Sequence, residues 1–261
     1  MGTCIPLIST AYLPTIRYMA FLAKYETVAI EQYETFPKQT FRNRTVIATG
    51  NGELMLNVPV TRPNGNHTVT ADMAVSYHEP WNIRHWRAIV SAYNAAPYFL
   101  YYKDELESIL LKEHEKLIEL NDAILRYLLN KMKIACSLEY TKDYQASADN
   151  QQDYRYTLTA KKATLSPTLP PYSQVFESRF GFQQNLSAID LLFNMGPDSR
   201  RYLLELPDEA AHVLDGRGGR DVPDDVASER VAIRDADDAA HVLADDDRVA
   251  HSDILDAAPT L

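Results

Sequence analysis

Apolar positions come in short strand-like blocks over the first sixty residues and at helical spacing after that. "CIPLIST" reads as a short buried strand bounded by turn-like residues, and "TVAIEQ" reads as a second. Between them, "PTIRYMAFLAKYE" sets Ile16, Met19, Phe21 and Leu22 near helical spacing, with Pro14 suited to a first helical turn. Strand, helix and strand at this spacing predict a βαβ unit, and hence an α/β domain.

"RTVIATGNGELMLNVPV" follows as a hairpin pattern. Asn51-Gly52 lies between two β-rich runs, the pair that a type I′ turn favours. Leu54, Leu56, Val58 and Val60 alternate on one face, and Pro59 places the second strand at an edge or near its end. "RPNGNH" is another turn cluster, and "ADMAVSY" can supply a further strand.

Past Pro80 the period lengthens. "WNIRHWRAIVSAYNAAPYFLYY" puts Ile83, Trp86, Ile89, Val90 and Tyr93 near one face, and Pro97 interrupts it. From Asp104 to Ile134, Leu106, Ile109, Leu110, Leu117, Leu120, Ile124, Leu128 and Met132 keep a helical repeat. Asp104 with Glu107 would cap that helix, and its apolar stripe would serve as core packing or as a seam between two copies. Residues 141 to 172 are polar and proline-spotted, as in a linker or long loop. "NLSAIDLLFNMGPD" predicts one more short helix, stopped by Gly196 and Pro197.

Charge divides the chain near residue 207. The formal net charge of −10 arises from residues 208 to 261, where fifteen acids face five arginines. Residues 1 to 207 carry twenty-one charges of each sign and are neutral. Bulk charge therefore gives no reason to expect nucleic-acid binding or attraction to a membrane surface. The acidic stretch has no aromatic residue and nearly repeats "DEAAHVL" as "DDAAHVL", as in a disordered tail or a spurious fused coding sequence. His212, His241 and His251 within it are spaced too widely for a metal tract.

Cys4 and Cys136 read as buried reduced thiols. No apolar run reaches the roughly 18 residues of a membrane span, and no basic region followed by an apolar one marks a secretory signal. The expectation is a cytoplasmic protein with no membrane span.

The blocks "YLPTIRYMAFLAKYETVAIEQYETFPKQTFRNR", "NGELMLNVPV", "WNIRHWRAIVSAYNAAPYFLYY" and "QVFESRFGFQQNLSAIDLLFNMGPDSRRYL" resemble the WbqC-like family. The resemblance runs over residues 3 to 206 and is greatest to the branch found in Bacteroidetes. The second strand of family members often ends in an Asp-Asp pair, where this chain has Ile30-Glu31-Gln32. A role resting on two carboxylates does not carry over. The family occurs in gene clusters for O-antigen and related surface polysaccharides. That context implies a sugar-modifying transfer, such as glycine or another amino acid onto a sugar.

Candidate chemistry concentrates in "FPKQTFRNR", residues 36 to 44. If residues 38 to 44 were extended, Lys38, Thr40, Arg42 and Arg44 would share one face within about 20 Å, with Asn43 beside them. Such cations suit a phosphate or carboxylate, and they equally suit a solvated strand edge that resists pairing. Glu31 and Gln32 end the second strand, where open α/β sheets bind ligands; Glu31 would be a general base or an ion-pair partner of Lys38 or Arg42. Ser9, Thr10 and Tyr12 hold the matching place after the first strand, with no glycine-rich phosphate loop. His85, flanked by Trp81, Arg84, Trp86 and Arg87, is a second candidate base or a core-edge histidine. Asn82, His85 and Tyr93 match the family pattern, which implies a site role for them. His78-Glu79 lacks the second histidine of a zincin, and no metal is predicted.

The sequence thus predicts an α/β domain over residues 1–206 with a mixed sheet, a β-hairpin and a helical C-terminal half. Functionally it suggests an acyl, aminoacyl or glycosyl transferase acting with a small-molecule donor and a sugar or sugar-nucleotide acceptor. Glu31 and His85 are the candidate catalytic residues. Tyr12, Gln32, Lys38, Arg42, Asn43, Arg44 and Tyr93 are the candidate binding residues, and no cofactor is indicated. The alternative is a non-catalytic binding protein for a sugar nucleotide or other anion.

Overall fold

A computed structural model describes residues 5–37, 40–144, 153–155 and 168–207. Cys4, Lys38, Gln39, much of the polar stretch after Thr141, and the acidic tail lie outside the described residues. Strand β1 (Leu7–Ser9), helix α1 (Ile16–Leu22) and strand β2 (Thr27–Glu31) form the expected βαβ unit. β1 and β2 pair in parallel, from Leu7 opposite Ala29 to Ser9 opposite Glu31. Thr15 caps α1 by accepting from the Tyr18 amide, so Pro14 stands ahead of the cap rather than in the first turn. All seven residues of α1 are buried.

The hairpin joins β3 (Arg44–Thr49) to β4 (Gly52–Asn57) in antiparallel register, Thr49 opposite Gly52 and Arg44 opposite Asn57. Its turn differs from the type I′ expectation. The chain reverses at Gly50 and Asn51, and only Gly52 takes a positive φ, of 104°. A type I′ turn needs positive φ at both central residues, whereas one left-handed glycine after the turn is the pattern of a bulged hairpin. Leu54, Leu56 and Val58 are buried as the alternation predicts. Short strands β5 (Val60–Thr61) and β6 (Ala74–Val75) pair antiparallel.

Helix α2 (Trp81–Tyr93) buries Trp81, His85, Trp86, Ile89 and Tyr93, and leaves Ile83 exposed. The single helix expected over 104–134 is two: α3 (Phe99–Leu111) and α4 (Leu117–Lys131). The break falls at Lys112–Lys116, where the backbone bonds sideways to the β6 region. Val75 N–H donates to Glu115 O at 3.0 Å, and Leu117 N–H donates to Met73 O at 2.9 Å. The Tyr77 hydroxyl accepts from the His114 amide at 2.8 Å. Asp104 therefore lies inside α3, and Glu119 supplies the cap at the start of α4. Leu106 and Leu110 of α3 and Leu117, Leu120 and Leu128 of α4 pack into the chain's own core, whereas Leu100 and Leu111 are exposed.

β7 (Ser137–Tyr140) pairs in parallel with β2, which makes β2 the centre of a three-stranded sheet. Parallel and antiparallel pairings, expected in one mixed sheet, are thus divided among small separate sheets. A bridge from Leu7 to Asp153 extends the sheet at β1. Helices α5 (Glu177–Phe180), α6 (Ala188–Met195) and α7 (Ser199–Glu205) complete the helical half. Gly196 ends α6 with φ +53°. Cys136 is a half-buried free thiol, which burial pushes up to about 11. No described helix is long and apolar enough to cross a membrane.

Candidate functional site

β1, β2 and β7 run parallel, so their carboxyl ends lie on one edge of the sheet, where connecting loops gather polar side chains. A cleft opens there, lined by Ser9 at the end of β1 and Thr10 after it, Tyr18 of α1, Thr40 and Arg42 of the loop between β2 and β3, and Arg155. The free volume between these groups is about 20 Å³, within a depression of about 290 Å³ that includes space open to solvent. As it stands, the inner space admits one water-sized or oxyanion-sized group.

The loop carrying Arg42 is pinned from three sides. Tyr12 N–H donates to Phe41 O at 2.9 Å, Asn121 Nδ2 of α4 donates to Arg42 O at 2.8 Å, and Val58 N–H donates to Asn43 O at 2.7 Å. These bonds hold residues 40–43 in a turn rather than an extended strand, so Thr40, Arg42 and Arg44 do not share one face by strand alternation, and Lys38 lies outside the described residues. Arg42 instead folds inward. Nε and Nη2 donate to Glu34 Oε1 and Oε2 at 2.9 and 2.7 Å, and Nη2 also donates to Ser9 Oγ at 2.5 Å. Both charged residues are 2 % exposed. Burial raises the Glu34 carboxyl above its ordinary value, although Arg42 opposes the rise.

A second pair lies beside the first. Glu31, fully buried at the end of β2, accepts from Thr141 Oγ1 at 2.9 Å and from the Tyr33 amide at 2.8 Å. Arg155 Nη1 reaches its other oxygen at 3.4 Å. Arg155 is also bound side-on by Asp153 at 3.0 and 2.6 Å, which raises the guanidinium above its usual range. Ser9 Oγ donates to Arg155 O at 3.3 Å and so links the two pairs. Gln32 fastens the end of β2 to Thr141 through Nε2 at 2.6 Å and its amide at 3.2 Å.

Three acids and two arginines therefore meet at this edge. An incoming anion must use guanidinium edges that do not already face a carboxylate.

The remaining predicted residues fall elsewhere. Tyr12 and His85 form a buried pair: the Tyr12 hydroxyl donates to His85 Nδ1 at 2.9 Å, with Trp81 edge-on to both rings. The other imidazole nitrogen bonds to the Asn57 carbonyl, which fixes the neutral tautomer. Burial pushes the His85 pKa down to about 3, and it pushes the Tyr12 phenol well up. Asn43 ties the foot of the hairpin to Asn57 Oδ1 and Val58 O, each at 3.0 Å. Arg44 opens β3, with Nη1 3.8 Å from Met55 Sδ. Tyr93 is fully buried and faces Asp190, whose carboxylate accepts from Tyr172 at 2.5 Å and from Gln174 at 3.2 Å. Burial raises Asp190 and Tyr93 alike.

Glu31, Gln32 and Arg42 are thus brought together at one edge, Tyr12 with His85 in the core, and Asn43 with Arg44 at the hairpin. Glu34, Arg155, Asp153, Tyr18 and Thr141 join the site without having been singled out in the sequence. A signal existed for Glu34, three residues past Glu31 in "EQYE". None existed for Arg155, which sits in a polar stretch without periodicity. Among the described residues no cluster of three or more His, Cys, Asp or Glu side chains could hold a metal ion.

Comparison with known proteins places this geometry in a family. The model of the WbqC-like protein family matches residues 10–168, which include both buried ion pairs. An uncharacterized protein of Mycobacterium tuberculosis (strain ATCC 25618 / H37Rv), Rv1507c, is 26% identical over 225 residues, covering 76% of this chain and 96% of its own. No solved structure matches the chain.

Proposed function

The chain belongs to the WbqC-like protein family, and on that premise we propose that the cleft beyond β1 and β2 binds the phosphate or carboxylate of a small-molecule donor. The wider role would be that of an acyl, aminoacyl or glycosyl transferase in bacterial surface-polysaccharide biosynthesis, with a sugar or sugar nucleotide as acceptor. The observation that carries the binding step is Arg42: a buried guanidinium lining an open cleft at the carboxyl edge of a parallel sheet. Its Nε and Nη2 are engaged by Glu34 and Ser9, while Nη1 takes part in none of those bonds. Glu31 and Glu34 then act first by holding Arg155 and Arg42 in place, and Gln32 by fixing the strand end beneath them.

A non-catalytic binding protein is the second reading, and one observation favours it. Both candidate bases are engaged: His85 is neutral with each nitrogen bonded, and Glu31 receives three donors. A general base needs a lone pair within reach of the acceptor's proton. Thermal denaturation of the full chain with nucleotide sugars, acyl-CoA thioesters, aminoacyl donors and nucleotides tests the binding step. A ligand that binds only the folded chain raises the transition temperature, by more the further its concentration exceeds its Kd. A shift from one class names the donor, and turnover of that donor with a sugar separates transferase from binding protein. No shift from any class contradicts the proposal.

A further inference from the structure

We infer that an anion entering the cleft binds together with one proton, taken up by Glu34, so that occupancy of the site increases as the pH falls. The inference rests on the anion-binding reading given above. Its basis is a single guanidinium facing two claims. Arg42 holds Glu34 side-on at 2.9 and 2.7 Å through Nε and Nη2, and Nη2 also reaches Ser9 Oγ. Arg42 lines the cleft, and Glu34 lies behind it, both 2 % exposed. A ligand oxyanion at Arg42 therefore adds a second negative charge to a cation that already balances one. With so little solvent around the pair, the two anions repel with little screening.

The ligand can keep its charge only if Glu34 loses its own. The groups that face this carboxyl are Arg42 and Ser9, Arg155 from the segment beside β1, and the Tyr18 phenol from α1. Arg42, Ser9 and Arg155 favour the ionised form, and burial outweighs them. A further negative charge beside a carboxyl already held above its ordinary range raises it again and favours its protonated form. Protonated Glu34 still offers Arg42 a carbonyl oxygen, so the loop stays in place while the guanidinium turns its charge to the ligand. In a transferase the same proton would sit next to the bound donor, with Ser9 between them.

The sign follows from linkage. Binding raises the Glu34 pKa, so affinity is highest below the pKa of the free protein and falls as the pH rises toward that of the complex. Sulfate is the probe, because it carries no titrating proton between about pH 5 and 8. In the full chain, sulfate affinity should fall as the pH rises through that window, with a steepest slope of about tenfold per pH unit. Titration calorimetry in two buffers of different ionisation enthalpy should report uptake of one proton per sulfate. Glu34→Gln should give an affinity that is flat with pH and exceeds that of the native protein at the alkaline end. Sulfate binding with no proton uptake, or an unchanged pH slope in Glu34→Gln, overturns the inference and leaves the binding site standing. If Glu34→Gln does not fold, the two-buffer measurement on the native chain decides alone. No sulfate binding at any pH overturns the anion reading, and the inference with it.

Discussion

Arg42 and Glu34 face each other side-on through two hydrogen bonds of 2.9 and 2.7 Å, with almost no solvent reaching either. Such a pair is costly to halve and cheap to replace whole. Removing one partner leaves an uncompensated buried charge, while two apolar side chains of similar volume leave none. Arg42→Met or Glu34→Leu alone should lower stability by about 3–5 kcal/mol, and the double variant should recover most of that loss. Urea denaturation of the three variants checks it. Arg42→Lys should not rescue, because an ammonium cannot span both carboxylate oxygens.

The Tyr12–His85 pair gives the fold an acid sensitivity. The folded pKa of His85 is about 3, against 6.5 for the free side chain. Its contribution to stability is therefore complete above 6.5 and is lost progressively as the pH falls from there toward 3. At pH 5 the loss should be about 2 kcal/mol relative to pH 7. Tyr12→Phe combined with His85→Phe should abolish that part of the pH dependence. The difference in unfolding free energy between variant and native chain at the two pH values isolates it from the raised carboxyls Glu34 and Asp190, which act in the opposite direction.

Gly196 combines a left-handed backbone with close packing. Its φ is +53°, and a Cβ there would stand 2.5 Å from the Tyr98 ring. Gly196→Ala should destabilise by about 2–4 kcal/mol, from backbone conformation and displacement of Tyr98 together. Tyr98→Ala in the same chain should relieve the packing share and leave about 1–2 kcal/mol. Thermal melts of both variants test the division.

Asp190 collects hydrogen bonds from Tyr172, Gln174 and Asn194 in a site with no exposure. Asp190→Ala leaves the Tyr172 hydroxyl without this acceptor, while Gln174 keeps Gln183 O and Asn194 keeps the backbone carbonyl of residue 190, and should cost about 1–3 kcal/mol. Asp190→Asn, which keeps one oxygen, should cost less. Chemical denaturation of the two variants decides, and equal losses would show that the carboxylate's hydrogen bonds do not matter.

What the sequence conveyed was periodicity. Alternation at Leu54, Leu56 and Val58 and the helical spacing of Trp86, Ile89 and Tyr93 identified the hairpin and α2, because burial on one face leaves a repeating trace. The division of the 104–134 pattern into two helices left no such trace. The leucines keep their spacing across Lys112–Lys116, and the break depends on backbone bonds to Met73 and Val75 forty residues away. The hairpin turn was misplaced by one residue for a related reason: Gly50, Asn51 and Gly52 offer two overlapping turns, and strand register chooses between them.

The site was legible in part. Glu31, Gln32 and Arg42 could be singled out because they end a strand or crowd a short basic run. Their meeting with Arg155, more than a hundred residues on, follows from the bridge of Asp153 to Leu7, which no local pattern announces. His85 drew notice through its aromatic and basic neighbours. Only its depth in the core shows that both nitrogens are engaged.

If ligands enter the cleft beside Ser9 and Arg42, filling the cleft must exclude them. Thr40 lines the opening without belonging to either buried ion pair. Thr40→Trp and the double variant Arg42→Met/Glu34→Leu should each melt near the native temperature. Both should bind sulfate at least about tenfold more weakly than the native chain, a loss of roughly 1.4 kcal/mol or more. Native affinity in both variants would contradict it.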